Sequence, residues 1–487
     1  MTLSSRRQFL RQTSLGAAVL YLRHTSVVAA ASQVFESHAQ DVAGSDTASI
    51  RKFASRIAGH LITPEMSDYD SSRLVFNRAF DRHPAVIVRC AGPSDVARAL
   101  DFAHSTNLQV AVRGGGHSRL GYGVCDGGAV IDLSAMKRVE VDTSRRVVHA
   151  EAGALVRDLD HATQRFGLAT TSGGCPTVGI AGLTLGGGEG RLMDKYGAAC
   201  DNLLSAQVVT VDGRQIEASQ KSNPDLFWAS RGGGGNFGVV TALEYQLHPV
   251  GEVLSGALMY PAGRIPELLQ AFTRFLAGAP DEMNAFAQLL PSEQGRRFKI
   301  DVCYCGDLRM GNDLVRPLRA LKPLDDSVKV MSYLEAQAAG GFLQAPVAHF
   351  QTNLFLRELS GSAIAAITTA IDNAPATCKV IIVPLHGAVS RVNVSDMAFA
   401  LRQPGYEVDI AGVWITPAEK AEVVRWVEAT RHSLHPFAHG VYVNQLGDTR
   451  EGLVKLAYGP NYARLVEIKK KYDPNNILRL NQNIPAA

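Results

Sequence analysis

The chain lacks a long apolar run. Nothing after its first three dozen residues approaches the run of about 20 apolar residues that a spanning helix needs. It is also short of cysteine: seven in 487 residues cannot make a disulfide scaffold, and the odd count leaves one thiol for another use only if the others pair. Cys303 and Cys305 flank Tyr304 in an expected strand and share a face, a poor geometry for a disulfide. Charge of one sign is missing too. The net charge is +3, and Lys and Arg are scattered apart from Lys469–Lys471, which reads as a solvated helix face. That balance gives no argument for nucleic acid or an anionic membrane as partner, and neither is expected. Neither GxxxxGK[ST] nor a GxGxxG opening a helix after a strand is present, so P-loop and Rossmann nucleotide sites are excluded. No internal repeat is visible. Hydrophobic content of 46% and charged content of 20% are those of a soluble globular protein. The length exceeds what one core supports, so two domains are expected.

Glycine is what the chain has, and it is clustered. Val112–Ser118 reads Val-Arg-Gly-Gly-Gly-His-Ser, and Gly173–Gly179 reads Gly-Gly-Cys-Pro-Thr-Val-Gly. Leu185–Gly188 and Arg231–Gly238 add two further runs. Such turns leave backbone N–H groups uncovered and form nests for anions such as a pyrophosphate. Two nucleophiles, His117 and Cys175, stand among them. The combination suggests a phosphate-bearing cofactor that is also covalently held. A metal ligand or solvated loop residue at His117, and a buried structural thiol at Cys175, are the plainer alternatives.

Taken in order, residues 1–31 read as an export signal. Ser5-Arg6-Arg7-Gln8-Phe9-Leu10 has the twin-arginine form, Leu15–Leu22 is apolar, and Ala29–Ala31 offers a cleavage site, although Arg23 and His24 interrupt the pattern. A helix is expected near Ile50–Gly59. Ala85–Cys90, a helix capped by Ser94 or Asp95 and running to about Ser105, and Leu108–Val112 form a β-α-β unit that delivers Arg113–Ser118 at its end. Short strands follow at 130–134, 138–142 and 145–151, then a helix over Leu155–Phe166 that Gly167 stops. Asp212-Gly213 marks a hairpin. From Gly251 strands and helices mix, with Pro417–Leu434 and Asn461–Lys471 as helices. The fold class expected is α+β. A cofactor domain spans 62–249, a substrate domain with a helix-covered sheet spans 250–437, and a segment over 438–487 returns to the cofactor domain.

The spelling of Arg113–Ser118, Gly174–Gly188, Cys200–Leu204, Asn223–Trp228 and Gly232–Val240, with Tyr472–Asn476 and Asn481–Ile484, closely resembles the berberine-bridge-enzyme-like FAD-linked oxidases, a group of the vanillyl-alcohol-oxidase or PCMH-type flavoproteins. The resemblance is strong over Tyr69–Val250 and Ala438–Ile484 and weak between them, where members carry a lysine near Thr352 and a histidine near Leu401. It implies FAD bonded through its 8α-methyl to His117, and through C6 to Cys175. It implies that backbone N–H groups of Gly114, Gly115, Gly116 and Ser118, beside Arg113, hold the pyrophosphate. Gly174, Thr177, Val178 and Gly179 then flank the ring, and Gly182, Gly235 and Val240 line the adenosine side. Asn481 and Asn483 reach the isoalloxazine from the tail.

The implied reaction takes a hydride from a carbon bearing OH or NH to flavin N5, with a base at the hydroxyl proton. Tyr442 matches a tyrosine that several members use for this, and Asn444 is expected on the same strand face. Glu189 departs from the aromatic residue usual there; it is a second candidate base, a ligand for a sugar hydroxyl or amine, or a solvent-facing carboxylate. Val178 matches the residue that faces the ring where dioxygen approaches; being short, it implies an oxidase making H2O2. The expected substrate is a small molecule, a carbohydrate or other bulky alcohol or hemiacetal, with O2 as co-substrate. A dehydrogenase passing electrons to a quinone, and a flavin-binding protein without turnover, are the alternatives; oxygen uptake separates the first, and a flavin that no alcohol bleaches marks the second.

Overall fold

The computed structural model describes residues 49–292, 295–339, 345–447 and 451–486. The export signal read at 1–31 lies outside the described residues. The described residues 49–57 belong to a separate unit, in which 49–54 are helical. Everything below concerns the unit Ala58–Ala487.

Its first sheet has four strands in the order His60–Ile62, Val86–Arg89, Ala129–Asp132, Val110–Arg113. The last three are parallel, as a β-α-β crossover requires. The crossover helix, Pro93–Ser105, buries Val96, Ala99, Leu100, Phe102 and Ala103 at near-helical spacing. Its N-cap is Gly92, not Ser94 or Asp95. Pro93 supplies a preset φ at the first turn. Asp95, 1% exposed, instead accepts N–H bonds from Ala58 (2.9 Å), Gly59 (2.8 Å) and Ala91 (3.0 Å). Its carboxylate was worth more as an anchor for the preceding chain than as a cap.

The second sheet is antiparallel, in the order Val139–Asp142, Val147–Glu151, Val239–Gln246, Leu203–Val209, Gln215–Ser219. The helix Val156–Gln164 ends where expected, with Gly167 at φ +64°. The Asp212-Gly213 hairpin joins Leu203–Val209 to Gln215–Ser219.

The third sheet is antiparallel and has nine strands among the described residues. Its core runs Glu252–Pro261, Gly295–Tyr304, Met283–Ser292, Cys378–Leu385, Gly405–Trp414, Ala348–Leu356. One face is apolar and carries the helices Gly361–Asp372 and Pro417–Leu434. The other face is polar, yet buried. Register puts Asn353 beside Asp409, Asp409 beside Ile381, and Ile381 beside Gln288. His349, Gln351 and Glu407 share that face by strand alternation. All of these polar side chains are at most 7% exposed. A buried polar face is costly unless its groups are paired or serve a ligand.

Two sequence expectations fail here. Tyr442 and Asn444 do not lie on a strand: the strand Ala438–Gly440 ends at the sheet edge, and Val443–Gln445 is a 3-10 turn. The lysine run is not a solvated face either. Lys469 is fully buried and paired with buried Asp473 at 2.6 Å, while Lys470 and Lys471 are exposed. Lys469 Nζ also donates to the carbonyls of Asn236 (2.9 Å) and Leu478 (3.1 Å), and Asp473 accepts the N–H groups of Ile477 and Leu478. This pair draws the tail against the Gly232–Gly235 loop.

Candidate active site

The glycine loops, the tail and the polar sheet face enclose one cavity of about 350 Å³. Backbone proximity makes its inner wall. A Cβ on Gly115 would collide with the backbone of Gly179, and the reverse, so two loops distant in sequence can meet only as glycine. That contact brings His117 and Cys175 to the same cavity. His117 donates a ring hydrogen to the Thr177 carbonyl, and its ring stacks on Phe76 with centroids 3.8 Å apart. Burial, helped by Arg119 and His349, lowers its pKa to about 3. His117 is thus a neutral imidazole with one nitrogen free. It is half-buried. Cys175 Sγ lies 3.4 Å from Thr177 Oγ1.

Arg113, Gly114, Gly116, Ser118, Val178 and Val240 line the cavity. Arg113 is held by Asp132 at 3.0 Å, with Nη1 buried and unpartnered. Gly174, Gly182 and Gly235 also line it, and a Cβ on any of them would meet nothing within 4 Å. From the tail, Asn481 lines it, donating to the Gly235 carbonyl at 3.2 Å and leaving Oδ1 unpartnered. Thr177 and Asn483 do not line the cavity; Asn483 Oδ1 is buried without a partner. Bare backbone and the unpaired Asn481 amide oxygen at the cavity fit FAD: the glycines leave its volume clear, and the amide suits a flavin's pyrimidine edge.

The outer wall carries charge. Glu189 follows the Leu185–Gly188 run and turns into the cavity, with Oε1 unpartnered. Burial pushes its carboxyl up to about 7. Glu407 is raised well above the carboxylate range by burial and then by the charges of Glu189 and Asp409. Neither Glu407 oxygen has a hydrogen-bond donor among the described residues. Like charges this close cannot all ionise, so the cluster keeps a proton near neutral pH. Arg119 answers it, donating to Gln445 Oε1 at 2.8 Å, which also receives Gln351 at 3.0 Å.

Tyr442 closes the site. Asn353 clasps its backbone, accepting the Tyr442 N–H (2.7 Å) and donating to its carbonyl (3.0 Å). Its hydroxyl oxygen accepts from the Gly188 N–H and from Asn444 Nδ2, each at 2.9 Å. The turn, not strand alternation, brings Asn444 there. A Cβ on Gly186 would strike the Asn444 amide. Burial, then Glu189 and Glu407, raise the Tyr442 pKa well above 10.

Sequence reasoning missed Arg119, Asn353, Glu407 and Asp409. The signal for the last two was available: two acids at i and i+2 in the otherwise apolar Gly-Tyr-Glu-Val-Asp-Ile-Ala-Gly-Val-Trp.

Fold and site together define a flavin-dependent oxidoreductase. Comparison agrees. Residues 84–219 match the FAD binding domain family, and residues 441–485 match the berberine and berberine-like family. The chain is 33% identical over 454 residues to the (R)-6-hydroxynicotine oxidase of Paenarthrobacter nicotinovorans, covering 88% of this chain and 97% of that one. It is 31% identical over 442 residues to the uncharacterised FAD-linked oxidoreductase YgaK of Bacillus subtilis, covering 88% and 97%. The crystal structure of 6-hydroxy-D-nicotine oxidase from Arthrobacter nicotinovorans superposes with a TM-score of 0.82 at 28% identity, over 88% of this chain and 98% of that one. The xylooligosaccharide oxidase of Myceliophthora thermophila shares the fold, with a TM-score of 0.80 at 24% identity over 90% and 99%. The protein belongs to the berberine-bridge-enzyme-like family of FAD-linked oxidoreductases.

Proposed function

We propose that the protein is an oxidase that removes a hydride from an alcohol or hemiacetal carbon and makes H2O2, with FAD carried covalently by His117 and Cys175. The observation that carries the reading is the meeting of Glu189 and Tyr442 at a cavity whose inner wall is glycine, with Glu407 buried behind Glu189. FAD held here would supply the hydride acceptor and the route for electrons to dioxygen. Glu189 takes the substrate's hydroxyl proton, because its raised pKa lies near neutral pH, it lines the cavity and its Oε1 is buried without a partner. Glu407 shares that proton. Tyr442 stays protonated: its oxygen already accepts two bonds, so its own hydrogen is left to orient the substrate oxygen. Asn444 and Asn481 hold the ring edge, and Arg113, Ser118 and the Gly114–Gly116 N–H groups hold the phosphates. Anaerobic flavin bleaching across sugars, polyols and aromatic alcohols tests the reading; a flavin that none of them bleaches sinks it.

One observation favours a second substrate class. Glu189 stands at the cavity wall with two further carboxyls, Glu407 and Asp409, buried behind it, and such a cluster also receives a cationic amine. Bleaching by amines and not by alcohols would select it. The covalent bonds are tested by peptide mass mapping, which should find flavin on both residues. Export rests on the sequence of Ser5–Leu10 and is tested by replacing Arg6 and Arg7 with lysine, which should retain folded protein inside the cell.

A further inference from the structure

The chemistry above leaves one buried cation without a task. Arg191 lines the cavity two residues after Glu189, yet it is only 6% exposed. Among the described residues its guanidinium makes no hydrogen bond and no ion pair, and Nε is buried without a partner. Arginine is almost never buried unless paired, and buried donors are almost always satisfied. An unpaired guanidinium at a cavity wall therefore calls for an anion.

The fold holds it there. A Cβ on Gly190 would strike the backbone of Gly173, so the chain just before Arg191 lies against the loop that carries Cys175. Arg191 Cζ stands 5.7 Å from the centroid of the Phe286 ring, which sets the guanidinium over an aromatic surface. Phe286 and Asn284 lie two residues apart on the strand Met283–Ser292, hence on one face, and both line the cavity. Arg191 thus packs on the third sheet, whereas Arg113, the cation given to the phosphates, ends a strand of the first. No acid neutralises Arg191. Burial and then Asp409 raise Glu189, and no cation is among the groups that lower it. Asp194 Oδ2 accepts from Asn284 Nδ2 at 2.6 Å. The titratable groups that the Arg191 charge reaches, Cys303 and Tyr333, are kept neutral by burial.

We infer that Arg191 is the seat for a carboxylate on the substrate, so that the alcohol oxidised here is a hydroxy acid of the sugar-acid type. This rests on the reading that the protein oxidises an alcohol or hemiacetal. A guanidinium presents paired N–H donors that match the two oxygens of a carboxylate. The Cα atoms of residues 189 and 191 are at most about 7 Å apart. One small molecule can therefore offer its hydroxyl to Glu189 and its carboxylate to Arg191. The acids near Glu189 share a proton near neutral pH, so they repel such a molecule less than free carboxylates would.

The test uses the flavin-loaded enzyme and two matched pairs, glucuronate with glucose and galacturonate with galactose. Anaerobic stopped-flow bleaching should put each acid ahead of its neutral partner, through tighter binding and not through a faster limiting rate. In Arg191→Gln that preference should shrink by about 10- to 100-fold, the worth of one hydrogen bond to a charged group. Arg191→Lys should keep part of it, as a point charge without the fork. A second readout needs no turnover: calorimetric titration with cyclohexanecarboxylate, which has no hydroxyl, should show binding that Arg191→Gln weakens. Equal behaviour of acid and neutral partner in the wild type overturns the proposal. So does an undiminished preference in Arg191→Gln, or loss of FAD from that variant, which would give the guanidinium to the cofactor. Bleaching by no alcohol, with carboxylate binding still dependent on Arg191, is a different failure: it sinks the alcohol reading and leaves the anion seat standing.

Discussion

On the side of Gly114–Gly116, Gly174, Gly182 and Gly235 the cavity wall is main chain; on the side of Glu189 and Arg119, with Glu407 and Asp409 buried behind them, it is charge. The first wall works by omission. A methyl group on Gly179 would close the approach that brings His117 and Cys175 together. The second works by crowding: carboxyls raise one another, and Arg119 with Lys379 limits the cost. A wall of backbone is rigid and indifferent to pH, which suits a resident cofactor. A wall of coupled acids titrates near neutrality, which suits proton transfer. Substitutions on the two walls should therefore fail in different ways.

The largest effect is expected on the charged wall. Glu189→Gln should keep its FAD and slow anaerobic flavin reduction by about 10²–10⁴-fold, with kcat and kcat/KM falling together. Tyr442→Phe should cost less. If Glu189→Gln loses flavin and not rate, the division between the walls is wrong. The wild-type reduction rate should rise with pH through about 7, as the raised Glu189 carboxyl gives up its proton, and the Gln variant should lose that rise. Because the folded pKa lies above the ordinary carboxylate value, ionisation opposes folding. Wild-type stability should thus fall as pH climbs through that range, and the variant's less steeply.

Charge behind the glycine wall sharpens the contrast. Lys469→Met strands Asp473 in a buried site and should remove about 3–5 kcal/mol from the fold. Denaturant titration should show that loss, with reduction rates per bound flavin unchanged; a change in rate at constant stability would give the pair a chemical role. Gly179→Ala should cost about 1–3 kcal/mol by overpacking and lower the ratio of FAD to protein. The smallest effect belongs to Val178→Leu. Stopped-flow should find flavin reduction nearly intact and reoxidation by dioxygen slowed. Equal reoxidation rates would put oxygen access elsewhere.

The glycine wall was legible in the sequence because its work is done by residue types with few other uses. Val112–Ser118 and Gly173–Gly179 announce close backbone approach, and Glu189 stands out beside them. The charged wall was not, because it is assembled by register. Glu407 and Asp409 meet Asn353 and Gln351 only when two strands some fifty residues apart pair, and the expected strands did not include either. Lys469 was misread for the same reason: a lysine among lysines looks solvated until Asp473, one turn on, is seen facing inward with it. Tyr442 was found, but its support was not, since Asn353 imitates a strand partner from another segment.

His117 and Cys175 occupy two loops that reach the cavity from separate stretches of chain. On the covalent reading, one flavin bonded to both is a cross-link. It closes a loop of about 60 residues as a disulfide would, and in the chain-entropy picture a loop of that size withholds about 4 kcal/mol from the unfolded state. The tether survives denaturation, so the unfolded chain still holds the two glycine loops together. Refolding then starts with their long-range contact already made.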